Sequence, residues 1–260
     1  MAIVWGKKRV EKALGHAADF CPICRDITPH RISRLGVAGH LYFVALGEGE
    51  LVGHVGECTN CKTKRLVDSR KYKTFLFAPG NDIEKLIKET YPKLRLDRAE
   101  RLEIEKKIKE NHTFSHEERE VLLIEPFKHL SGKVEERYAN AKFDKESDLG
   151  CLITIAALVI SPCLSIVISQ TDTAQNILSL SSGLIFIFGF IYTVVQLMLS
   201  PNRFVKREIT PILAKALAPL NPQKVELQKC LNFFKTGGHR LGQKINENQL
   251  WEQIQKYRSP

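Results

Sequence analysis

Four of the chain's seven cysteines occur in two pairs with the CxxC spacing of metal-binding turns. The first pair is Cys21 and Cys24, and the second is Cys58 and Cys61. Two such turns held close together present four sulfurs at the corners of a tetrahedron, which is the geometry of structural zinc. The same four thiolates also suit iron. We therefore predict a metal site at these cysteines, with Zn²⁺ favoured and iron as a minor alternative.

The chain between the two pairs is rich in residues that form strands. Residues 41–46 and 51–56 are separated by a glycine-containing turn at 47–50, which predicts a β-hairpin that leads to the second pair. A small strand-rich module has little core of its own and depends on its metal for folding. We predict that residues 21–77 form a β-rich zinc ribbon, preceded by a basic, loosely ordered arm over 1–20 with a short helix near Val10.

These residues resemble a known group of modules. The sequence Cys21-Pro-Ile-Cys24, the strand at 41–44, the run Glu57-Cys-Thr-Asn-Cys61 and the lead-in at 5–8 are similar to rubredoxin-like zinc ribbons. Such modules stand at the N-termini of many uncharacterised, mainly bacterial, membrane-associated proteins. The resemblance covers about residues 1–75 and implies a structural zinc and a role in macromolecular contact, without a reaction. Arg25 and Lys62 depart from the pattern, because a rubredoxin usually has glycine after each pair.

The remaining cysteines, Cys151, Cys163 and Cys230, are scattered, so the pattern is not that of a secreted disulfide framework. It favours a reducing compartment. The chain lacks a phosphate-binding GxxxxGK loop, an HExxH helix and a serine elbow. We therefore predict a protein that is not an enzyme, with no catalytic residues and no site for an organic cofactor.

Two apolar segments free of charge, at 149–169 and 177–200, dominate the second half of the chain. A helix needs about 20 residues to cross a bilayer, and the polar connector at 170–176 separates two segments of that length. The fold class expected is thus a multi-domain membrane protein: an N-terminal β-rich zinc ribbon, an α-helical middle region, a two-helix transmembrane hairpin over 149–200 and an α-helical C-terminal tail. Small residues such as Gly183 and Gly189 suggest a face for close helix packing.

The charges beside these segments predict orientation and partners. The formal net charge is +10, and residues 201–260 contain 11 Lys and Arg against 4 Asp and Glu. The positive-inside rule places both termini in the cytoplasm and the connector outside, as in a bacterial inner-membrane protein with two spans. The expected partners are the lipid bilayer, with anionic lipid near the basic flanks, and a protein; nucleic acid is possible but not favoured.

Helix signals fill the two polar regions. Residues 81–148 are predicted as a cytoplasmic helical region, with helix starts at Asn81, Asp97 and Ser115 because each is followed three residues later by Glu. Residues 201–260 are predicted as a basic cytoplasmic helical tail, with a helix that ends at Gly237 and another that begins after Asn246. His112 and His116 are four residues apart, but the helix start between them argues against a shared metal site.

Three functions follow from these patterns. The first is a non-enzymatic adaptor or scaffold, an integral membrane protein that binds a protein partner on the cytoplasmic side. The second is a membrane-tethered nucleic-acid-binding protein, in which basic residues interleaved with Tyr72 and Phe75 grip a phosphate backbone. The third, less favoured, is a rubredoxin-like iron electron carrier.

Overall fold

The first half of the chain forms an antiparallel sheet in the order β1-β2-β4-β5, with β3 paired to β2. The computed structural model describes residues 5–41, 44–45, 47–80, 82–140, 143–168 and 172–258. The strands are β1 (Trp5–Cys21), β2 (Asp26–Leu41), β3 (Val44–Ala45), β4 (Glu50–Cys58) and β5 (Lys64–Val67). The predicted hairpin of residues 41–46 and 51–56 is wrong: β3 and β4 each pair with β2, and no pairing between β3 and β4 occurs among the described residues.

The segment predicted as a loosely ordered arm over 1–20 is, from Trp5 onward, strand β1. It pairs with β2 along its whole length, from Trp5 opposite Leu41 to Cys21 opposite Asp26. Its register shifts at Gly15, where φ is +142° and an added Cβ would lie 2.7 Å from the backbone oxygen of Leu76. Exposed basic residues along this strand give it the composition of a polar arm, so the sequence does not predict a strand here. The same charges at the edge of the sheet discourage association with the edge of another sheet.

Ten α-helices follow the sheet within the described ranges. They are α1 (Ile83–Thr90), α2 (Leu94–Asp97), α3 (Ala99–Lys109), α4 (His116–Ala139), α5 (Lys145–Ile168), α6 (Asp172–Phe204), α7 (Thr210–Leu217), α8 (Lys224–Thr236), α9 (Arg240–Lys244) and α10 (Glu247–Arg258). A π-helical turn, Val205–Ile209, joins α6 to α7, and a 3₁₀ turn, Ala218–Leu220, follows α7.

Local capping signals locate several helix ends. The reciprocal Ser115 and Glu118 capping box is confirmed at the start of α4, and the Asn246 side chain accepts a hydrogen bond from the backbone of α10. Helix α8 ends before Gly237, as predicted. The cap of α1 is Asp82, one residue after the predicted Asn81. The predicted cap at Asp97 is wrong, because its carboxylate accepts a hydrogen bond from the Tyr91 hydroxyl instead.

Two apolar cores hold the fold together. The smaller core packs α1 and α2 against one face of the sheet, with Ile32 and Leu86 fully buried. The larger core joins α4, α7, α8, α9 and α10, and the stacked rings of Phe127 and Phe234 lie within it at 5.6 Å. Helices from 81–148 and from 201–260 therefore share one core, which we call the helical body (α3, α4 and α7–α10).

The predicted transmembrane hairpin is wrong. Among the described residues, no helix has both the length and the apolar character that crossing a bilayer requires. Charged residues form part of the helices: Glu146 and Asp148 lie in the first turn of α5, and Arg203 lies in the last turn of α6. The connector expected at 170–176 is helical from Asp172 onward. The two-span integral inner-membrane localisation, and the sidedness assigned to the termini, are therefore also wrong.

Helices α5 and α6 instead form an antiparallel pair that includes two reciprocal glycine and threonine contacts. A Cβ added to Gly150 would lie 2.8 Å from Thr193 Oγ1, and one added to Gly189 would lie 2.7 Å from Thr154 Oγ1. Each threonine hydroxyl donates to the carbonyl four residues earlier in its own helix. For Gly183, also expected in such a face, no atom of the described residues lies within 4 Å of an added Cβ.

Candidate metal centre

The two CxxC pairs occupy the turns of two neighbouring β-hairpins. Cys21 ends β1 and Cys24 lies in the turn to β2, whereas Cys58 ends β4 and Cys61 lies in the turn to β5. Because β2 and β4 are adjacent in the sheet, the two turns emerge side by side. The Thr59 backbone N–H donates to Pro29 O at 3.0 Å, which ties the second turn to the start of β2.

The four sulfurs converge at the distances that a single metal ion needs. All four lie within 4.8 Å of one another. Cys21 Sγ is 3.5 Å from Cys61 Sγ, and Cys24 Sγ is 3.8 Å from Cys58 Sγ. Sulfurs placed about 2.3 Å from a tetrahedral zinc are about 3.8 Å apart, so this donor set fits such an ion. The separations are much longer than the roughly 2.05 Å of a disulfide bond. A four-cysteine cluster that could bind a metal is thus present.

Each turn closes in the same way, with a residue in the left-handed region directly after the second cysteine. Arg25 and Lys62 both have φ of +56°. Their backbone N–H groups donate to the carbonyls of Cys21 and Cys58, at 2.8 and 3.0 Å respectively. Glycine adopts this conformation without steric cost, which explains why related turns favour it at this position. Arg25 and Lys62, which stand where a rubredoxin usually has glycine, therefore adopt a backbone conformation that is sterically unfavourable for residues with a side chain.

Interactions within the cluster raise the pKa of the Cys21 and Cys24 thiols and lower the pKa of the Cys58 and Cys61 thiols. Hydrogen bonding to Cys24 raises the pKa of the Cys21 thiol, whereas hydrogen bonding to Cys21 lowers the pKa of the Cys58 thiol and lowers that of Cys61 to about 6. Thr28 Oγ1 lies 3.4 Å from Cys58 Sγ and also stabilises its thiolate. Without a cation, four adjacent sulfurs cannot all hold negative charge, whereas a divalent ion stabilises every thiolate it binds.

The cluster lies inside the larger apolar core rather than on the surface of the sheet. Cys21, Cys58 and Cys61 are buried in the same core as Leu122 and Leu217 of the helical body. Ile23, between the cysteines of the first pair, is only 3% exposed. The two turns that carry the cysteines are therefore part of the contact between the sheet and the helices.

Arg25 extends this contact through a buried ion-pair network. Its Nε donates to Ala216 O at 2.7 Å, and its Nη1 is 3.2 Å from both carboxylate oxygens of Glu105. Arg101 in turn pairs with Glu105 and with Glu125, at 2.7 and 2.6 Å. Burial lowers the pKa of the Arg25 guanidinium, and Glu105 opposes that shift. Because such charges are costly to bury unpaired, the network fixes how the first turn meets the helices.

Three histidines and Tyr72 take part in the fold rather than in a further cluster of metal ligands. His30 is buried and its Nδ1 donates to Thr28 O at 2.9 Å; burial lowers its pKa. His112 contacts Glu110 in the loop before α4, whereas His116 begins α4. Within the described residues, no second group of three or more ligand side chains comes together. Tyr72 is buried and its hydroxyl donates to Asp19 at 2.8 Å, so its ring is not available to stack on a base.

No protein family, curated protein or solved structure matches this chain. The resemblance to rubredoxin-like zinc ribbons is supported at a coarser level, by four clustered cysteines at a β-rich N-terminus. The sequence did not reveal the partners of the first turn, Glu105 and Ala216. The only local signal was Arg25 itself, a long basic side chain where the turn favours glycine.

Proposed function

We propose that this protein is a non-enzymatic adaptor that binds a protein partner, and that its four cysteines hold a structural Zn²⁺. The observation that carries the proposal is the position of the cluster within the core shared by the sheet and the helical body. A site in which four cysteines supply every ligand is typical of structural zinc, since catalytic zinc keeps one position for water or substrate.

The proposed zinc acts on the relative placement of the sheet and the helices. Its ligands belong to the turn that carries Arg25, and Arg25 contacts both Glu105 of α3 and Ala216 of α7. Metal binding that orders this turn therefore also orders the contact with the helical body. Because the free energy of metal binding becomes folding free energy, the two halves of the chain would present one continuous surface only in the metal-bound protein.

Exposed apolar side chains support the binding of a partner. Leu152 of α5 is 63% exposed, and Phe188 and Met198 of α6 are 68% and 74% exposed. All three side chains belong to the helix pair α5 and α6, and large exposed apolar patches mark interaction sites in proteins. The nucleic-acid alternative gains no support at the second cysteine pair, because the nearby basic side chains of Lys64 and Arg65 already pair with Glu11 and Asp19.

Metal analysis of protein purified from its native host tests the first part of the proposal. We expect colourless protein with about one zinc per chain. Cys58→Ser should lose the metal, whereas Cys151→Ser, which changes a half-buried cysteine outside the cluster, should retain it. A red protein with visible thiolate-to-iron absorption would support the iron electron carrier instead.

Site-specific photocrosslinking in living cells tests the second part. A crosslinking residue at Leu152 or Phe188 should capture one defined protein, and the same residue at Val225, an exposed position on α8, should not. We expect the crosslink to disappear in the Cys58→Ser chain and to persist in Cys151→Ser. Capture that is equal at all three positions, or that does not respond to loss of the metal site, would contradict the adaptor function.

A further inference from the structure

A cavity of about 660 Å³ opens in the helical body beside the loop that precedes α8. Its lining combines the apolar side chains of Phe114, Leu220 and Trp251 with the cationic side chains of Arg119, Lys224 and Arg258. Sites for small molecules commonly have volumes of about 300–1,000 Å³, with mostly apolar walls and a few polar groups that orient the ligand. The volume of this cavity lies in that range, and its lining combines apolar side chains with several polar and cationic groups.

The charges that line the cavity have one sign. None of the described residues that line it is an aspartate or a glutamate. Arg119 pairs with Glu226, which is not part of the lining, with its Nε 2.6 Å from Oε1. Lys224 donates to the neutral Asn248 amide oxygen at 3.0 Å and has no carboxylate partner among the described residues, and Arg258 donates to the Pro222 carbonyl at 2.8 Å. The cavity therefore carries positive charge that its own walls do not neutralise.

Arg119 and Arg258 approach the same short loop from different helices. Arg119 Nη2 donates to Asn221 O at 3.0 Å, and Arg258 Nη2 donates to the next carbonyl, that of Pro222. The two guanidinium groups are close enough that Arg119, after burial, contributes to a lowered pKa of Arg258. A negatively charged ligand between them would relieve this repulsion.

One hydrogen-bond donor of Arg258 is without a partner among the described residues. Its Nε is buried and has no hydrogen-bond partner among the described residues. Its guanidinium lies 5.4 Å from the centre of the Trp251 ring, which holds the planar group beside the aromatic surface. An arginine oriented in this way can donate two parallel hydrogen bonds to a carboxylate or phosphate, and buried donors left without partners are costly.

We propose that this cavity binds an organic anion in which a phosphate or carboxylate group is attached to a flat apolar body. The oxyanion accepts hydrogen bonds from Arg258 and Lys224, and the flat body packs against Phe114 and Trp251. None of the four cysteines is among its described lining residues, so the site is distinct from the candidate metal centre.

Tryptophan fluorescence provides a direct test, because the chain has only two tryptophans. In a Trp5→Phe background, Trp251 alone reports on the cavity. The probes are adenosine monophosphate and 1-naphthoate, which separate the phosphate and carboxylate sources of the anion, with adenosine and inorganic phosphate as controls. We expect a saturable change with at least one of the two organic anions, and binding of its neutral or inorganic counterpart that is weaker by about tenfold or more.

Variants of the cationic residues show whether the signal comes from this site. Arg258→Gln should weaken binding by about tenfold or more, and Arg258→Lys should weaken it less. Arg70→Gln, which removes a guanidinium whose side chain is 89% exposed in the 3₁₀ turn after β5, should leave it unchanged. Circular dichroism checks that each variant folds. If Arg258→Gln does not fold, Lys224→Gln is used in its place.

Three results would overturn the proposal. The first is the absence of saturable binding by both organic anions. The second is an affinity that Arg258→Gln and Lys224→Gln leave unchanged. The third is binding of inorganic phosphate as tight as that of adenosine monophosphate, which would remove the role assigned to the aromatic walls.

Discussion

The guanidinium of Arg25 meets the carboxylate of Glu105 across the boundary between the sheet and the helical body, with Nη1 3.2 Å from each oxygen. Both side chains are only 5% exposed. Arg25 directly follows the first cysteine pair, so any change in the order of that turn reaches α3 through this contact. The relationship connects a local metal site to the packing of the whole chain.

Removal of either member of this pair should strongly destabilise the fold. Arg25→Met leaves Glu105 with only Arg101 as a cationic partner, and breaking a buried pair typically costs about 3–5 kcal/mol. Urea unfolding followed by circular dichroism gives the change in free energy. Arg70→Met, which breaks an exposed pair with Asp68, should have no measurable effect. Equal stability of the two variants would contradict the structural role of the Arg25 contact.

Glycine substitution at the two turn positions should have opposite effects. Lys62 and Arg25 share a φ of +56°, but Lys62 is exposed whereas Arg25 is buried and paired. Lys62→Gly relieves a left-handed conformation and should raise the free energy of unfolding by up to about 1 kcal/mol. Arg25→Gly gains the same relief but loses the Glu105 and Ala216 contacts, so it should lower stability. Thermal unfolding measures the stability of both variants. A lower stability of Lys62→Gly than of wild type would show that the backbone at Lys62 is not strained.

Two glycines of α6 offer a matched test of the helix pair. An alanine methyl at Gly189 would lie 2.7 Å from Thr154 Oγ1, so Gly189→Ala should force the helices apart and cost about 1–3 kcal/mol. No atom of the described residues lies within 4 Å of a Cβ added to Gly183, so Gly183→Ala should stabilise the helix by about 0.5–1 kcal/mol. Denaturant unfolding of both variants measures the two changes in the free energy of unfolding. If the two substitutions change stability in the same direction, the described contact between α5 and α6 is not correct.

The ion pair at the base of α5 should make stability depend on acid pH. Hydrogen bonds from Arg203 hold the pKa of Asp144 well below its usual range. A carboxylate whose pKa is lower in the folded state adds stability above its unfolded pKa of about 3.9 and loses that contribution as the pH falls further. Wild type should therefore exceed Arg203→Gln in stability above about pH 5, and the difference should shrink below about pH 4.

Urea titrations of both proteins across this pH range measure the difference. Acid also displaces metal from cysteine thiolates, but that effect is common to the two proteins and cancels in the comparison. A stability difference that stays constant from neutral to acid pH would show that Asp144 does not titrate against Arg203.

The sequence predicted those features that depend on neighbouring residues. The spacing within each cysteine pair, the capping box at Ser115 and the helix end before Gly237 are local signals, and the structure contains all three. Strand β1 was missed because its order comes from pairing with β2 rather than from its own alternation of apolar and polar residues.

Contacts between residues far apart in the chain could not be predicted from local sequence patterns. The contact of Arg25 with Glu105 and Ala216 joins residues separated by 80 and 191 positions. The apolar segments at 149–169 and 177–200 predicted membrane spans from length and lack of charge alone. In the structure the helices include the charged residues beside those segments, and Arg203 near the end of α6 pairs with Asp144 just before α5.

Hydrogen exchange of backbone amides, measured by mass spectrometry before and after metal removal with a chelator, tests the central claim most directly. If the metal joins the sheet to the helices, its loss should accelerate exchange in both cysteine turns and also in α7 (Thr210–Leu217), whose Ala216 carbonyl accepts from Arg25. Faster exchange confined to the two turns, with α7 unchanged, would contradict the account.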